Sequence, residues 1–321
     1  MKPYADSRAG YEACTGCNIC VLPCPVWKET HDMSLTLAGR AKALQGGAKA
    51  SDLAASLEAC VLCGACEPVC PVEIDTIGMT LDLRAELMRE GLSPLFSKAS
   101  DLAAEAPAPG SGTASAGAWR FLPGRALRAR PSLLEKAAQR LKQSRGASLA
   151  GDDGDDIAIA IEAGLELFPE RLERFLAPLR GAQTLVVAEG LLHRHLRGWL
   201  KGTRVIGLGE ALLEKSTLGP ADFYVIETRG YHADFKRLVI HYDALRVASG
   251  CMMNLDLQRA AIPTGAMGLQ RRLGAESVGL GRQTAWILEG RKPGRVIVES
   301  AADLEAFDGL GLPLLHLAEA L

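Results

Sequence analysis

Two short segments constrain this chain of 321 residues more than anything else in it. Residues 14–25 read C-T-G-C-N-I-C-V-L-P-C-P, and residues 60–71 read C-V-L-C-G-A-C-E-P-V-C-P. Both obey Cys-x2-Cys-x2-Cys-x3-Cys-Pro, and together they carry eight of the nine cysteines. The opening MKPYADSRAGYEAC has no apolar core of the kind a signal peptide carries. The expectation is therefore a cytoplasmic chain whose thiols stay reduced, since disulfides belong to oxidising compartments. Dense reduced cysteines bind metal more often than each other.

Three thiolates two residues apart can wrap three corners of one iron–sulfur cubane within a single loop. The fourth lies just beyond, and its proline turns the chain away. In two-cluster proteins with this run the fourth cysteine ligates the other cubane. The expectation is that Cys14, Cys17, Cys20 and Cys70 hold one [4Fe-4S] cluster, and that Cys60, Cys63, Cys66 and Cys24 hold a second. Structural zinc sites use two distant Cys-x2–4-Cys pairs, which leaves a third cysteine at the same spacing, twice over, unexplained. Gly16 and Gly64 sit inside the loops, where a missing side chain lets backbone N–H groups approach the sulfurs. The bland reading makes them ordinary loop glycines.

Thirty-five residues separate Cys24 from Cys60, too many for a compact ferredoxin with short hairpins. They include SLTLAGRAKALQGG, helical in composition with Gly46-Gly47 as a stop, and SDLAASLEAC, where Ser51 is the expected N-cap. After Cys70, apolar residues at 77, 81, 83, 87 and 88 give a further helix closed by Gly91. With these stretches the region from about residue 10 to 92 resembles the α-helical ferredoxin domain. That domain occurs in the iron–sulfur subunit of glycolate oxidase, the C subunit of heterodisulfide reductase, and lactate-utilisation and anaerobic glycerol-3-phosphate dehydrogenase subunits. The resemblance implies an electron-transfer subunit working beside a flavoprotein dehydrogenase. It leaves the organic substrate open.

Beyond residue 98 the composition changes. DLAAEAPAPGSGTASAG has linker composition. WRFLPGRALRARPSLLEKAAQRLKQSRG is basic, with a helix starting at Pro131 and a neighbouring acidic cluster, Asp152, Asp153, Asp155 and Asp156, able to neutralise it. From residue 183, TLVVAE, TRVIGL, DFYVIE, RVIVES and PLLHL read as buried strands between helical stretches, and Ser300 to Asp303 reads as a capping box. Alternation of this kind implies a mostly parallel sheet covered by helices. The expected fold class is thus α+β multidomain. Residues 1–98 form an all-α dicluster ferredoxin domain, 99–118 a flexible linker, and 119–321 an α/β docking domain that begins with the basic helix.

Members of the resembled family carry Cys-Cys-Gly modules in this region. Here Cys251 is the only late cysteine, so the module is expected to be degenerate and Cys251 to be a buried structural thiol. V-I-G-L-G-E-A-L follows a strand like a dinucleotide turn, but Leu212 stands where the third glycine belongs; Glu227 is the acidic residue further on. His193 and His195 are not expected to share a metal. Tyr231, His232 and His241 are expected at the surface or as caps. No residue is expected to be catalytic.

A net charge of −2 offers no basic field for nucleic acid, and no run approaches a membrane-spanning length. The leading expectation is a non-catalytic electron-transfer subunit of a cytoplasmic oxidoreductase complex. Its partners would be a flavoprotein dehydrogenase and a further carrier or quinone-linked membrane protein, which would bring it to the inner membrane only peripherally. The alternatives are a component of a heterodisulfide-reductase-like thiol/disulfide complex, and a cluster-based sensor or scaffold.

Overall fold

In the computed structural model, residues 9–105, 118–213, 218–256 and 259–320 are described. The chain separates into two units. One takes Met1–Ala106, Asp156–Leu167 and Leu255–Ile287; the other takes Pro107–Asp155, Phe168–Asn254 and Leu288–Leu321. The boundaries thus differ from the contiguous domains read in the sequence. Two stretches placed there in the docking domain, 156–167 and 255–287, pack with the cysteine-bearing unit instead.

The first unit is built on the helices Pro25–Thr30, Leu37–Gln45, Ala54–Ala59 and Thr76–Arg89. Thr36 caps the second of these through the Gly39 N–H, and the helix stops at Gly46 and Gly47. Asp75 caps the fourth through the Gly78 N–H at 3.0 Å. Ser51 does not act as a cap. It lies inside a 3-10 turn, Ala50–Leu53, and the Asp52 carboxylate reaches back to the Lys49 N–H at 2.9 Å in its place. The turn lets Ala50, Leu53 and Leu57 face Leu83 and Leu87 in one apolar cluster.

A second cluster joins Phe96, Ala99, Ile159, Ala163 and Leu269, drawing on all three segments of the unit. Ala99 therefore belongs to the core and not to a linker, and it opens the helix Ala99–Ala104. Alanine-rich sequence reads as linker by composition, yet alanine is also the best helix former and fits close contacts. Residues 106–117 of the expected linker lie outside the described residues. The unit is not wholly helical: Leu255–Asp256 pairs antiparallel with Ala260–Ala261, and Ala9 bridges Ile74.

The second unit holds two four-stranded sheets, both entirely parallel, where the sequence suggested one. In the first the order is Ser148–Leu149, Trp119–Leu122, Thr184–Val187, Arg204–Gly207. In the second it is Met252–Met253, Asp222–Val225, Arg295–Val298, Leu314–His316. Each sheet follows the same path: its first strand in sequence lies between the second and third, with the fourth outside the third. The unit is a structural repeat. The sequence echoes it where each fourth strand runs into a helix, L-G-E-A-L at 208–212 and L-A-E-A-L at 317–321. Strands of parallel sheets are covered on both faces, which is why Leu185 to Val187, Phe223 to Val225 and Val296 to Val298 are all buried.

Five of these strands were legible as apolar runs. Trp119–Leu122 was missed because Arg120 and the arginines after it give it a basic look. The basic helix runs Pro131–Arg145 and ends at Gly146. The acidic cluster does pair with this region: Asp153 with Arg128, and Asp155 with Arg125 at 3.8 Å. Asp152 is taken by Arg171 at 2.8 Å. Ser300 accepts from the Ala302 N–H, and the helix begins at Leu304 with Asp303 as its N-cap. Among the described residues no helix is long and apolar enough to cross a membrane.

Candidate iron–sulfur site

The two cysteine segments adopt one backbone conformation. Left-handed residues stand two and four positions after the leading cysteine in both: Gly16 (φ +76°) and Asn18 (φ +60°) after Cys14, Leu62 (φ +50°) and Gly64 (φ +75°) after Cys60. Glycine takes one such position in each loop, but not the same one. Side chains with a Cβ resist this region, a buried leucine strongly. Leu62, 2 % exposed, is held there by its surroundings, and such strain gathers at functional sites. Gly16 and Gly64 thus hold left-handed positions that suit a residue without a side chain.

Thiols of the two segments act on one another. Burial first, and then the charge of Cys70, followed by Cys24, Cys14 and Cys17, pushes the Cys20 thiol up to about 12. Cys24 is raised by burial, and Cys60 is the thiol whose charge reaches it. It stands just before the helix Pro25–Thr30, whose first backbone N–H groups, those of Trp27 and Val26, offset part of that rise. Cys66 is raised by burial and by Cys63, Cys60 and Cys20, while the Thr76 hydroxyl lies 3.1 Å from its sulfur. Thiols crowded in this way cannot ionise together without a cation among them, and a metal centre supplies that charge.

Around the second segment the anchors come from far along the chain. Arg84, fully buried, donates from Nε and Nη2 to the Leu57 carbonyl (3.1 and 2.7 Å), from Nη1 to that of Glu162 (2.5 Å) and from Nη2 to that of Cys60. Gln270 Nε2 donates to the carbonyls of Glu58 (2.8 Å) and Cys60 (2.7 Å), and the Ser277 hydroxyl to that of Ala59 (2.7 Å). Val278 packs with Val26, Val61, Cys63 and Ala65. Arg40 Nη1 holds the carbonyl and hydroxyl of Ser56, while its buried Nε meets no acceptor within the protein. Around the first segment, Gln45 Nε2 bonds the carbonyls of Tyr11, Glu12 and Cys14.

Cys60 differs from its neighbours. Burial works to raise its thiol, but the charges of Arg40 and Arg84 and the Leu62 N–H outweigh it, so its pKa is lowered. Exposure separates the segments too. Cys17 is exposed, whereas Cys63 and most of residues 61–69 are buried. The donor set of eight thiols with a buried, unbonded Arg40 N–H fits sulfur-rich anionic clusters.

In the second unit the other candidates resolve differently. The dinucleotide-like turn is filled by the protein itself. Glu299, at the end of Arg295–Val298, accepts from the Gly209 N–H (2.8 Å), the Tyr242 hydroxyl (2.8 Å) and the Tyr224 hydroxyl (3.1 Å). A Cβ on Gly209 would lie 2.5 Å from that carboxyl, so the turn has no place for a phosphate. Glu227 caps its own helix through the Arg229 and Gly230 N–H groups. Tyr231 and His232 are buried and not at the surface, and His241 is half-buried. His193 and His195 are each pushed down to about 3, chiefly by burial, and both stay neutral. Cys251 is buried, as expected, with its thiol raised by burial.

Burial, reinforced by Glu189 and Glu299, pushes the Glu227 carboxyl up to about 8 against the pull of the Gly230 and Arg229 N–H groups. The unfolded chain releases this proton near 4.5, whereas the folded chain keeps it to about 8. Its contribution is full below the lower value and is lost as pH rises through the upper one, at up to about 1.4 kcal/mol per pH unit. Denaturant titrations from about pH 5 to 8 are expected to show wild-type stability falling relative to Glu227→Gln; parallel curves would contradict this.

Residues 10–74, which include all eight cysteines, match the family model of the 4Fe-4S dicluster domain. No curated protein and no solved structure matches the chain. The clustered cysteines and this match together support [4Fe-4S] clusters and an iron–sulfur electron-transfer role, and residues 10–74 are similar to ferredoxin-like iron–sulfur domains.

Proposed function

We propose that the chain is the electron-transfer subunit of an oxidoreductase complex, relaying single electrons from a flavoprotein dehydrogenase through two [4Fe-4S] clusters. Cys14, Cys17, Cys20 and Cys70 hold one cluster, and Cys60, Cys63, Cys66 and Cys24 the other. The observation that supports this assignment is the doubled Cys-x2-Cys-x2-Cys-x3-Cys-Pro run in one matched dicluster region, with Cys70 among the thiols whose charge reaches Cys20 and Cys60 acting on Cys24. Each bound cluster supplies a one-electron site, so two in one chain match the two electrons of a flavin. The protein's own part is to keep eight thiolates, exclude water from the second segment, and point N–H donors at the sulfurs. The repeated α/β unit docks the subunit on its partners in the cytoplasm, and any membrane contact runs through a quinone-linked partner.

The heterodisulfide-type reading is disfavoured, because the one thiol of the second unit, Cys251, is buried and has no cysteine neighbour in sequence. Anaerobic titration of the full chain with a one-electron reductant tests the proposal. About two electrons per chain are expected, and photoreduced free flavin should deliver them; uptake of one or none would contradict it.

A further inference from the structure

We propose that Arg40 and Arg84 make the site of Cys60, Cys63, Cys66 and Cys24 the first to be reduced, and that the site of Cys14, Cys17, Cys20 and Cys70 is the solvent-side port for the electron. This rests on the two-cluster reading above.

Arg40 is 3 % exposed, and its Nε–H has no acceptor in the protein. Buried polar groups are rarely left so. Its charge reaches Cys60 and Cys24, one cysteine from each segment. Thiolate sulfur of the site they share is the acceptor that this N–H lacks. Arg84, at 0 % exposed, holds the Leu57, Cys60 and Glu162 carbonyls and lies 4.5 Å from the Phe96 ring, which fixes a second guanidinium beside the same cysteine.

Reduction adds one electron and breaks no thiolate bond, so the gain in negative charge is what the surroundings must offset. Burial alone would oppose it. The two guanidiniums act within the same low dielectric, where their attraction is strongest. On the other side the cation beside the loop is Lys42. Its Cε lies 3.5 Å from where a side chain on Gly16 would begin, and its ammonium bonds Gln45 at 2.6 Å. Lys42 is exposed, so water and salt screen its charge.

The test is an EPR-monitored redox titration of the anaerobically reconstituted full chain. Two one-electron steps are expected, and Cys17→Ser should alter the signal of the lower step. Arg40→Met should lower the upper step's reduction constant at least tenfold, about 59 mV, and leave the lower step in place; Arg40→Lys should recover part of the loss. Wild-type protein with 15N-arginine gives an independent reading, a nitrogen coupling on the first-reduced signal. Steps of equal potential, an upper step altered by Cys17→Ser, an Arg40→Met effect on the lower step or on neither, or no nitrogen coupling would each overturn the inference. Two one-electron steps in the wrong order would overturn it alone; fewer than about eight iron atoms would overturn the two-cluster reading beneath it.

Discussion

Cys70→Ala is expected to abolish the same EPR signal as Cys17→Ala, although Cys70 lies in the other segment. Likewise Cys24→Ala is expected to abolish the signal lost in Cys63→Ala. The chain turns away after each fourth cysteine, at Pro25 into a helix and at Pro71 into a turn, and the charge of Cys70 acts on Cys20 while that of Cys60 acts on Cys24. Each substitution should cost about four of about eight iron atoms. Spectra in which Cys70→Ala matches Cys63→Ala would mean that each segment serves its own cluster.

Arg84→Met is expected to destabilise the first unit more than any other single change outside the cysteines. Its guanidinium joins the end of the helix Ala54–Ala59, the leading cysteine of the second segment and the inserted helix Asp155–Ala163 by hydrogen bonds to their carbonyls. Removing it leaves the carbonyls of Leu57, Cys60 and Glu162 in the interior without this donor. Breaking a buried charge network in this way costs about 3–5 kcal/mol, a large share of the 5–15 kcal/mol typical of a folded domain. Differential scanning calorimetry should show the first unit's transition lowered by many degrees or lost. A transition unchanged within about 1 kcal/mol would show that Arg84 is not the joint we describe.

The strongest signals in the sequence were local ones. The cysteine spacing marks the site because sulfur geometry is written in consecutive residues, and the runs TLVV, RVIG, DFYV and RVIV mark strands because parallel sheets demand continuous apolar segments. What escaped was non-local or disguised. Gln270 and Ser277 reach the carbonyls of residues 58–60 across more than 200 positions by side-chain-to-backbone bonds, which leave no periodicity. Leu62 conceals a left-handed position, since leucine is no marker for one. Aligning the two cysteine segments could have found it, because Leu62 falls opposite Gly16 and Asn18 opposite Gly64. The echo of L-G-E-A-L in L-A-E-A-L was likewise available as the sign of a repeated unit. Tyr231 and His232 looked polar enough for the surface, but the helix Thr228–Ala233 packs inward and buries them.

The central claim is that eight thiolates from two segments hold two cubanes. Iron, sulfide and zinc analysis of anaerobically purified and reconstituted chain, with Mössbauer spectroscopy of 57Fe-loaded protein, tests it most directly. The account predicts about eight iron and eight sulfide per chain, all in [4Fe-4S] form. Tightly bound zinc in their place, or iron that saturates near four, would contradict it.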